Sequence, residues 1–242
     1  MFDIILYFPN SSIKPLPFWK NICIKTGGSE AGKIVILTVA TEFPSKVGKE
    51  YKKLFSRLHV SNVEALHIET REDADDPATL QRLEGATCVF FTGGDQLKIT
   101  SLIGGTKTDW FLKEAFSDGL ILAGTSAGAS AISEVMITSG NDDQAPKKCT
   151  VKMAPGLGFL SGVVIDQHFA QRGRTGSLLA AVTQNPYILG IGIDEDTAIV
   201  VYPDETFEVI GSNAVTILDG VHLSHTNVSE SYPDDILALT DV

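Results

Sequence analysis

Short apolar runs recur along the chain, separated by stretches in which apolar residues return at helical spacing. Runs of four to eight residues rich in Val, Ile, Leu and Phe predict β-strands. The predicted strands are Phe2–Phe8, Lys33–Ala40, Val63–Ile68, Thr87–Thr92, Gly119–Gly124, Gly162–Asp166, Leu189–Asp194 and Thr197–Tyr202. Several contain almost no polar residue, which is typical of strands buried on both faces of a sheet.

Helical patterns fill several of the intervals between these strands. In Lys46–His59 the apolar residues, among them Tyr51 and Phe55, lie on one face with lysines opposite. The segments Thr108–Ser117 and Ala127–Thr138 are also helical in pattern. Alternating strands and helices predict an α/β fold, with a mainly parallel sheet and helices on both sides of it.

The last predicted strands are not separated by helical segments. Thr197–Tyr202, Thr206–Ile210 and Ala214–Leu218 are separated only by short polar turns, so they predict an antiparallel meander appended to the sheet. We find no internal repeat and no linker that would divide the chain. Residues 1–242 are therefore expected to form a single domain.

Composition narrows the classes of function. With 19 Lys and Arg against 30 Asp and Glu, the net charge is −11, which disfavours general nucleic-acid binding. No stretch approaches the ~20 apolar residues of a membrane span, and the opening MFDIILYFPN resembles a first strand more than a signal peptide. The 3 cysteines have no CxxC spacing, so they predict neither a disulfide framework nor a zinc site. We expect a cytoplasmic protein that binds neither nucleic acid nor membranes.

The segment GTSAG, residues 124–128, follows a predicted buried strand and precedes a helical pattern. This is the G-x-S-x-G arrangement of a nucleophile elbow, in which a sharp turn presents the serine hydroxyl at the sheet edge. Gly124 and Gly128 satisfy the steric demand of such a turn. We expect Ser126 to be a nucleophile and the N–H of Ala127 to be the first oxyanion donor. The alternative is that these small residues only pack a tight strand–helix turn.

A second strand ends in FTGGDQ, residues 91–96. In an open α/β sheet, the loops at the carboxyl ends of the strands form the ligand crevice. Gly94 is therefore a candidate for the second oxyanion donor, and Asp95 and Gln96 are candidates for holding polar groups of a substrate. The alternative for Asp95 is an N-cap of the following helix.

His168 follows the carboxyl end of a strongly apolar strand and is the best placed of the 5 histidines to act as a general base for Ser126. The alternative is a structural histidine that caps the strand. Arg172 and Arg174 follow closely and are candidates for bidentate binding of substrate carboxylates. Their alternative is a solvated cluster at the start of a helix.

A triad also needs an acid that orients the histidine. The segment GIGIDEDT places Asp194, Glu195 and Asp196 together at a junction between two strands. Any of the three can fill that role, and an acidic surface turn is the alternative.

Together, FTGGDQ, GTSAGAS, APGLG, DQHF followed by RxR, and GIGIDEDTA resemble cyanophycinase, in the same order and at similar spacing. The resemblance covers roughly Lys33 to Leu218. The wider group, peptidase family S51, also contains the aspartyl dipeptidases of the peptidase E type. The resemblance implies a flavodoxin-like fold related to the class I glutamine amidotransferases.

The resemblance also implies an activity and a set of residues. The family hydrolyses cyanophycin, a poly-aspartate with arginine on each β-carboxyl group, to β-aspartyl-arginine. Ser126 corresponds to the nucleophile, His168 to the base and Glu195 to the acidic partner. The residues that correspond to the substrate pocket are Gln96, Asp166, Gln167, Arg172 and Arg174. Neither a metal nor an organic cofactor is implied, and the family suggests a homodimer.

Two departures from the family pattern bear on the activity. Family members commonly have a third arginine where this chain has Ser177, and a serine cannot make a bidentate contact with a carboxylate. The glycine run usual after the first strand is reduced to Gly27-Gly28. These departures motivate one alternative to a cyanophycinase, an inactive homologue that only binds its ligand. The wider group supplies the other alternative, an aspartyl dipeptidase.

Overall fold

The computed structural model describes residues 4–8, 32–139, 151–228 and 237–240, and only the backbone of residues 4–8. The strands are β1 Ile4–Phe8, β2 Lys33–Leu37, β3 Asn62–Leu66, β4 Cys88–Phe91, β5 Ile121–Thr125, β6 Ser133–Ser139, β7 Lys152–Pro155, β8 Leu160–Gln167, β9 Leu189–Ile193, β10 Thr197–Val201, β11 Phe207–Gly211, β12 Val215–Leu218, β13 His225–Thr226 and β14 Leu239–Thr240. The helices are α1 Pro44–Arg57, α2 Arg71–Asp75, α3 Pro77–Leu83, α4 Gln96–Ile103, α5 Lys107–Ser117, α6 Ala127–Ile132 and α7 Thr175–Gln184. Gly27-Gly28 lies outside the described residues.

Within the described residues, the first sheet has seven strands in the order β11-β10-β1-β5-β4-β2-β3. The strands from β1 to β3 in that order are mutually parallel, and β10 and β11 add an antiparallel edge. This confirms the predicted α/β fold with a mainly parallel sheet and an antiparallel extension. The parallel strands direct all their carboxyl ends to one edge of the sheet.

A second sheet was not predicted. Across the described residues it has five strands in the order β12-β9-β8-β6-β7, with β6, β8 and β9 parallel. The expected meander is therefore divided, because β10 and β11 stay on the first sheet while β12 pairs with β9. Short apolar runs specify a strand, but not which sheet receives it.

The predicted helix Ala127–Thr138 is wrong beyond Ile132. The chain turns into strand β6 there, and the Ser133 hydroxyl donates to the carbonyl of Ser130 at 2.7 Å, at the helix end. β6 then pairs with β7 and β8. The apolar residues of this segment satisfy both periods, and partners that are distant in sequence decide for the strand.

Cores cover both faces of the first sheet. Phe90 and Phe91 are consecutive residues of β4 and are fully buried on opposite faces. Phe90 packs with Tyr51 and Phe55 of α1, with ring centroids 4.9 and 6.1 Å apart. Phe91 belongs to the larger cluster, which includes residues of α4, α6 and the second sheet. The predicted apolar face of α1 is thus confirmed.

Candidate active site

Ser126 stands between β5 and α6 in a strained backbone conformation, with φ 51° and ψ −118°. The turn depends on two glycines. A Cβ on Gly124 would lie 2.6 Å from the carbonyl carbon of Gly128, and a Cβ on Gly128 would lie 2.3 Å from the carbonyl oxygen of Phe91. This close approach of strand and helix confirms the steric reason for which the elbow was predicted.

The structure brings three of the predicted residues into one chain of contacts. Ser126 Oγ lies 3.4 Å from His168 Nε2, and His168 Nδ1 lies 2.8 Å from Glu195 Oε1. His168 comes directly after β8, and Glu195 lies in the turn between β9 and β10. A serine, an imidazole and a carboxylate in this order can move a proton from the hydroxyl to the ring and stabilise the imidazolium.

The other two acids of the turn have different surroundings. The Asp194 carboxylate is buried and accepts the backbone N–H groups of Ala170 and Ala214 at 3.0 and 3.2 Å. Asp196 occupies the turn with φ 55°. The contact with His168 is made by Glu195, the residue that the family resemblance indicated.

Gln167 is a further neighbour of the serine. The Ser126 hydroxyl donates a hydrogen bond to Gln167 Oε1. A hydroxyl has only one hydrogen, so the proton cannot be donated to Gln167 and to His168 at the same time. In this arrangement the amide of Gln167 competes with the imidazole for that proton.

Burial and charge set the basicity of His168. Burial lowers the pKa of His168 below its ordinary value of 6.5, and the positive charges of Arg172 and Arg174 lower it further. The hydrogen bond and charge of Glu195 act in the opposite direction. A lowered pKa keeps the imidazole neutral at neutral pH, as a general base requires.

The two predicted arginines differ in their surroundings. Arg174 Nη1 donates to Asp166 Oδ1 at 2.7 Å, and Asp166 is only 1% exposed, so this ion pair is largely buried. Arg172 is exposed and close enough to His168 for its charge to affect the ring. Ser177 is buried in the first turn of α7. The positive charge around His168 therefore comes from Arg172 and Arg174.

The Gly93-Gly94 turn lies against the serine. A Cβ on Gly93 would be 3.2 Å from the Cβ of Ser126, and a Cβ on Gly94 would be 2.1 Å from the carbonyl oxygen of Ala40. Gly94 also has φ +142°, which side chains rarely adopt. Ala127 is the first residue of α6, so its N–H has no carbonyl one turn earlier to bind. Both predicted oxyanion donors thus belong to segments that adjoin Ser126.

Asp95 and Gln96 have bonds within the fold. Asp95 caps α4 by accepting the N–H of Leu97 at 2.9 Å, as the N-cap alternative predicts. Gln96 Nε2 donates to the carbonyl of Ile137 at 2.9 Å and so connects α4 to β6. Their predicted contacts with a substrate stay predictions.

Two residues at the site escaped the sequence patterns. Gln171 Oε1 accepts the N–H of Glu195 at 3.1 Å, and Asn213 Nδ2 donates to the carbonyl of Glu195 at 2.7 Å. Gln171 lies within the segment already singled out, but nothing in its spacing indicated this contact. Asn213 lies far along the chain in a polar turn, and a single asparagine there forms no motif that would indicate a functional residue.

Among the described residues, His, Cys, Asp and Glu side chains form no group of three or more that could hold a metal ion. No helix in the same part of the chain has the length and apolar character needed to cross a membrane.

Comparison with known proteins gives matches over most of the chain. The family model of peptidase family S51 matches residues 25–210 of this chain. A cyanophycinase of Geminocystis herdmanii (strain PCC 6308) is 38% identical over 214 residues, which are 88% of this chain and 78% of that protein. A cyanophycinase of Trichormus variabilis (strain ATCC 29413 / PCC 7937) is 39% identical over 201 residues, 83% of this chain and 67% of that protein.

Solved structures resemble the fold. A peptidase from an acI-B1 Actinobacterium superposes with a TM-score of 0.72 at 24% identity, over 91% of this chain and 92% of that one. A putative peptidase E from Listeria monocytogenes EGD-e gives a TM-score of 0.61 at 16% identity, over 88% of this chain and 100% of that one. At these identities the likeness concerns the fold alone.

Proposed function

Because the chain belongs to peptidase family S51, a family of serine peptidases, we propose that it hydrolyses cyanophycin or related β-aspartyl peptides through an acyl-enzyme on Ser126. The observation that carries this proposal is the chain of contacts from Ser126 through His168 to Glu195. The curated relatives support cyanophycin as the substrate, because two proteins named cyanophycinase are 38% and 39% identical to most of the chain.

In the first half of the reaction, the Ser126 hydroxyl leaves Gln167 and donates to His168 Nε2. Ser126 Oγ attacks the carbonyl carbon of the substrate, and His168 takes the hydroxyl proton. The N–H groups of Ala127 and Gly94 hold the oxyanion of the tetrahedral intermediate. His168 then protonates the leaving amine as the carbon–nitrogen bond breaks, which gives the acyl-enzyme and the first product.

In the second half, a water molecule attacks the acyl carbon and gives one proton to His168. The tetrahedral intermediate collapses, Ser126 Oγ leaves, and His168 returns the proton to it. Glu195 keeps Nδ1–H of the ring engaged throughout, so that Nε2 faces the serine in both directions of proton transfer.

Substrate recognition is assigned to the basic side of the site. Each repeat of cyanophycin offers a carboxylate, and Arg172 is exposed beside His168 to meet one. Arg174 is fixed by Asp166 and adds a second positive charge on this side of the site. Gln167 becomes available to the substrate when the serine proton moves to His168.

The alternatives have less support. An aspartyl dipeptidase shares the fold, but the likeness to a putative peptidase E is only 16% in sequence. An inactive binding homologue has no need for a serine, an imidazole and a carboxylate in mutual contact. Ser177, where the family commonly has an arginine, motivates the binding homologue, but no contact in the described residues favours either alternative.

The test is to incubate the purified protein with cyanophycin and to follow the release of β-aspartyl-arginine by mass spectrometry, beside the Ser126→Ala variant. We expect dipeptide from the wild type and a loss on the order of 10⁴-fold or more in the variant. Ser56→Ala, an exposed position on α1, is the matched control and should behave as the wild type.

Each of the other outcomes would overturn a different part of the proposed function. Hydrolysis of short aspartyl peptides without release from the polymer would replace the substrate with that of an aspartyl dipeptidase. No turnover of either substrate, together with no labelling of Ser126 by a fluorophosphonate probe, would leave the binding homologue. Full activity of Ser126→Ala would remove the mechanism.

A further inference from the structure

The turn that contains His168 and the turn that contains Glu195 are connected by a series of hydrogen bonds. They leave the carboxyl ends of neighbouring strands, where Gln167 of β8 pairs with Ile193 of β9. Beyond the strands, the N–H of Phe169 donates to the carbonyl of Ile193 at 3.2 Å, and the N–H of Ala170 donates to Asp194 Oδ1 at 3.0 Å. The connection between the two strands thus continues into the turns of the site.

The next hydrogen bond between the two turns is made by a side chain. The N–H of Glu195 donates to Gln171 Oε1 at 3.1 Å. On the other side of the same residue, Asn213 Nδ2 donates to the carbonyl of Glu195 at 2.7 Å. Two amide side chains therefore hold the backbone of Glu195, one at its N–H and one at its carbonyl, to which the Thr197 hydroxyl also donates at 3.3 Å.

Glu195 needs such support because its own side chain is weakly held. The side chain is 30% exposed. Among the described residues, no hydrogen bond of its carboxylate other than the one to His168 is found. A glutamate has several rotatable bonds, so a shift of its backbone moves the carboxylate away from the ring unless the backbone is fixed.

We propose that Gln171 and Asn213 are positioning residues that hold Glu195 against His168, and through it set the orientation of the base. This inference rests on the proposed function, because it gives Glu195 and His168 the roles assigned there. Among the described residues, the hydrogen bonds of the two side-chain amides go to the backbone of Glu195. Both act through the backbone of Glu195.

The first test is Gln171→Met, which keeps the length of the side chain and removes the oxygen that accepts the Glu195 N–H. We expect the maximal rate of labelling of Ser126 by a fluorophosphonate probe, and kcat on cyanophycin, to fall about 10-fold, with KM unchanged. Gln171→Glu keeps an acceptor oxygen and should recover most of kcat. Gln81→Met, an exposed glutamine on α3, is the matched control and should leave every rate as in the wild type.

The second readout is the pH dependence of labelling. The groups that act on His168 are Glu195, which raises its pKa, and Arg172 and Arg174, which lower it. When Glu195 is held less firmly, its effect weakens, so the acidic limb of the labelling profile should move to lower pH in Gln171→Met. A residue that only stabilised the fold would lower the unfolding midpoint and leave this limb in place.

The decisive experiment is a double-mutant cycle. In the Glu195→Gln background, Gln171→Met should have a much smaller effect than in the wild type, because both changes remove the same support from His168. Asn213→Ala tests the same idea from the carbonyl side and should give a parallel loss. Equal effects of Gln171→Met in both backgrounds, or an unchanged labelling rate in Gln171→Met, would overturn the inference. A wild-type protein that is not labelled at all would instead overturn the proposed function.

Discussion

Ser126 and His168 both have an uncommon positive φ angle, 51° and 53° respectively. A positive φ is unfavourable for residues other than glycine and costs on the order of 1 kcal/mol or more at each position. Each residue stands directly after a strand that ends at the site, where the chain must turn sharply to direct a side chain into the crevice. The strain is local, and the packed strands and helices around it maintain it.

At this scale, the pH dependence follows from the surroundings of His168. Burial lowers its pKa below 6.5, and the base must be neutral to accept the serine proton. Activity should therefore rise with pH through that lowered pKa and level off by neutral pH. A profile of kcat/KM from pH 4 to 9 measures this, and an acidic limb centred well above pH 6.5 would contradict it.

Replacement of Glu195 also tests how the surroundings of His168 set its pKa. Glu195 raises the pKa of His168, so Glu195→Gln should move the acidic limb to lower pH. The maximal rate should fall between about 10² and 10⁴-fold, because the imidazolium loses its stabilising charge. The pH profiles of the two proteins should be recorded side by side. A limb that moves to higher pH would show that Glu195 does not act on His168.

Replacement of Gln167 should make the labelling of Ser126 faster and the turnover of cyanophycin slower. It accepts the Ser126 hydroxyl in the structure, so Gln167→Met should free that proton for His168. Labelling of Ser126 by a small fluorophosphonate should become about fivefold faster, the value of one hydrogen bond of ~1 kcal/mol. Turnover of cyanophycin should fall, because the amide is also proposed to meet the substrate. Slower labelling in the variant would contradict the competition for the proton.

Among the elements, α6 decides the geometry of the elbow. It has only six residues and all of them are buried, so it is held by packing and not by its own length. It also contacts β4, β5 and β8, which lie in the two sheets. The helix is therefore the element where the strand that carries Ser126 meets the strand that leads to His168.

Gly128→Ala tests this packing. The new Cβ would lie 2.3 Å from the carbonyl oxygen of Phe91, so α6 must move away from β4. We expect a loss of about 3 kcal/mol in the free energy of unfolding, measured in urea. Gly85→Ala is the control, since the space around it is open, and its φ of +69° should cost only about 1 kcal/mol. Equal losses at the two positions would show that the close contact is not what makes Gly128 necessary.

Over the whole molecule, the first sheet has a core on each face, and the site lies at the edge where its parallel strands end. Phe55 belongs to the core between α1 and β4, on the face opposite the second sheet. The strands that lead to Ser126 and Gly94, β5 and β4, run through this sheet. The stability of the site is thus connected to packing on the far side of the sheet.

Phe55→Ala should therefore destabilise the protein without touching the site. We expect the free energy of unfolding to fall by about 3–5 kcal/mol, because a fully buried ring is lost. Phe43→Ala, at a side chain that is 65% exposed, should change it by less than about 0.5 kcal/mol. Circular dichroism and probe labelling of Ser126, both followed in urea, should report the same midpoint. Labelling that outlasts the secondary structure would contradict this connection.

The sequence by itself determined the features that depend on local pattern. The buried strands, the amphipathic α1 and the elbow at Ser126 follow from apolar runs, helical spacing and glycines whose need is steric. The motifs also determined the family, which the comparisons confirm over residues 25–210. Each of these signals lies within a short stretch of chain, so it is visible without a fold.

Only the tertiary structure decided what depends on partners far apart in the chain. The segment after Ile132 became β6 because β7 and β8 were there to pair with it. The residues alone left three acids open, and it is Glu195 that contacts His168 while Asp194 binds two backbone N–H groups. The amides of Gln171 and Asn213 acquire meaning only because the fold places them on either side of Glu195. A hydrogen bond between distant residues leaves no period or motif in the sequence, because it is specified by the packing of whole elements.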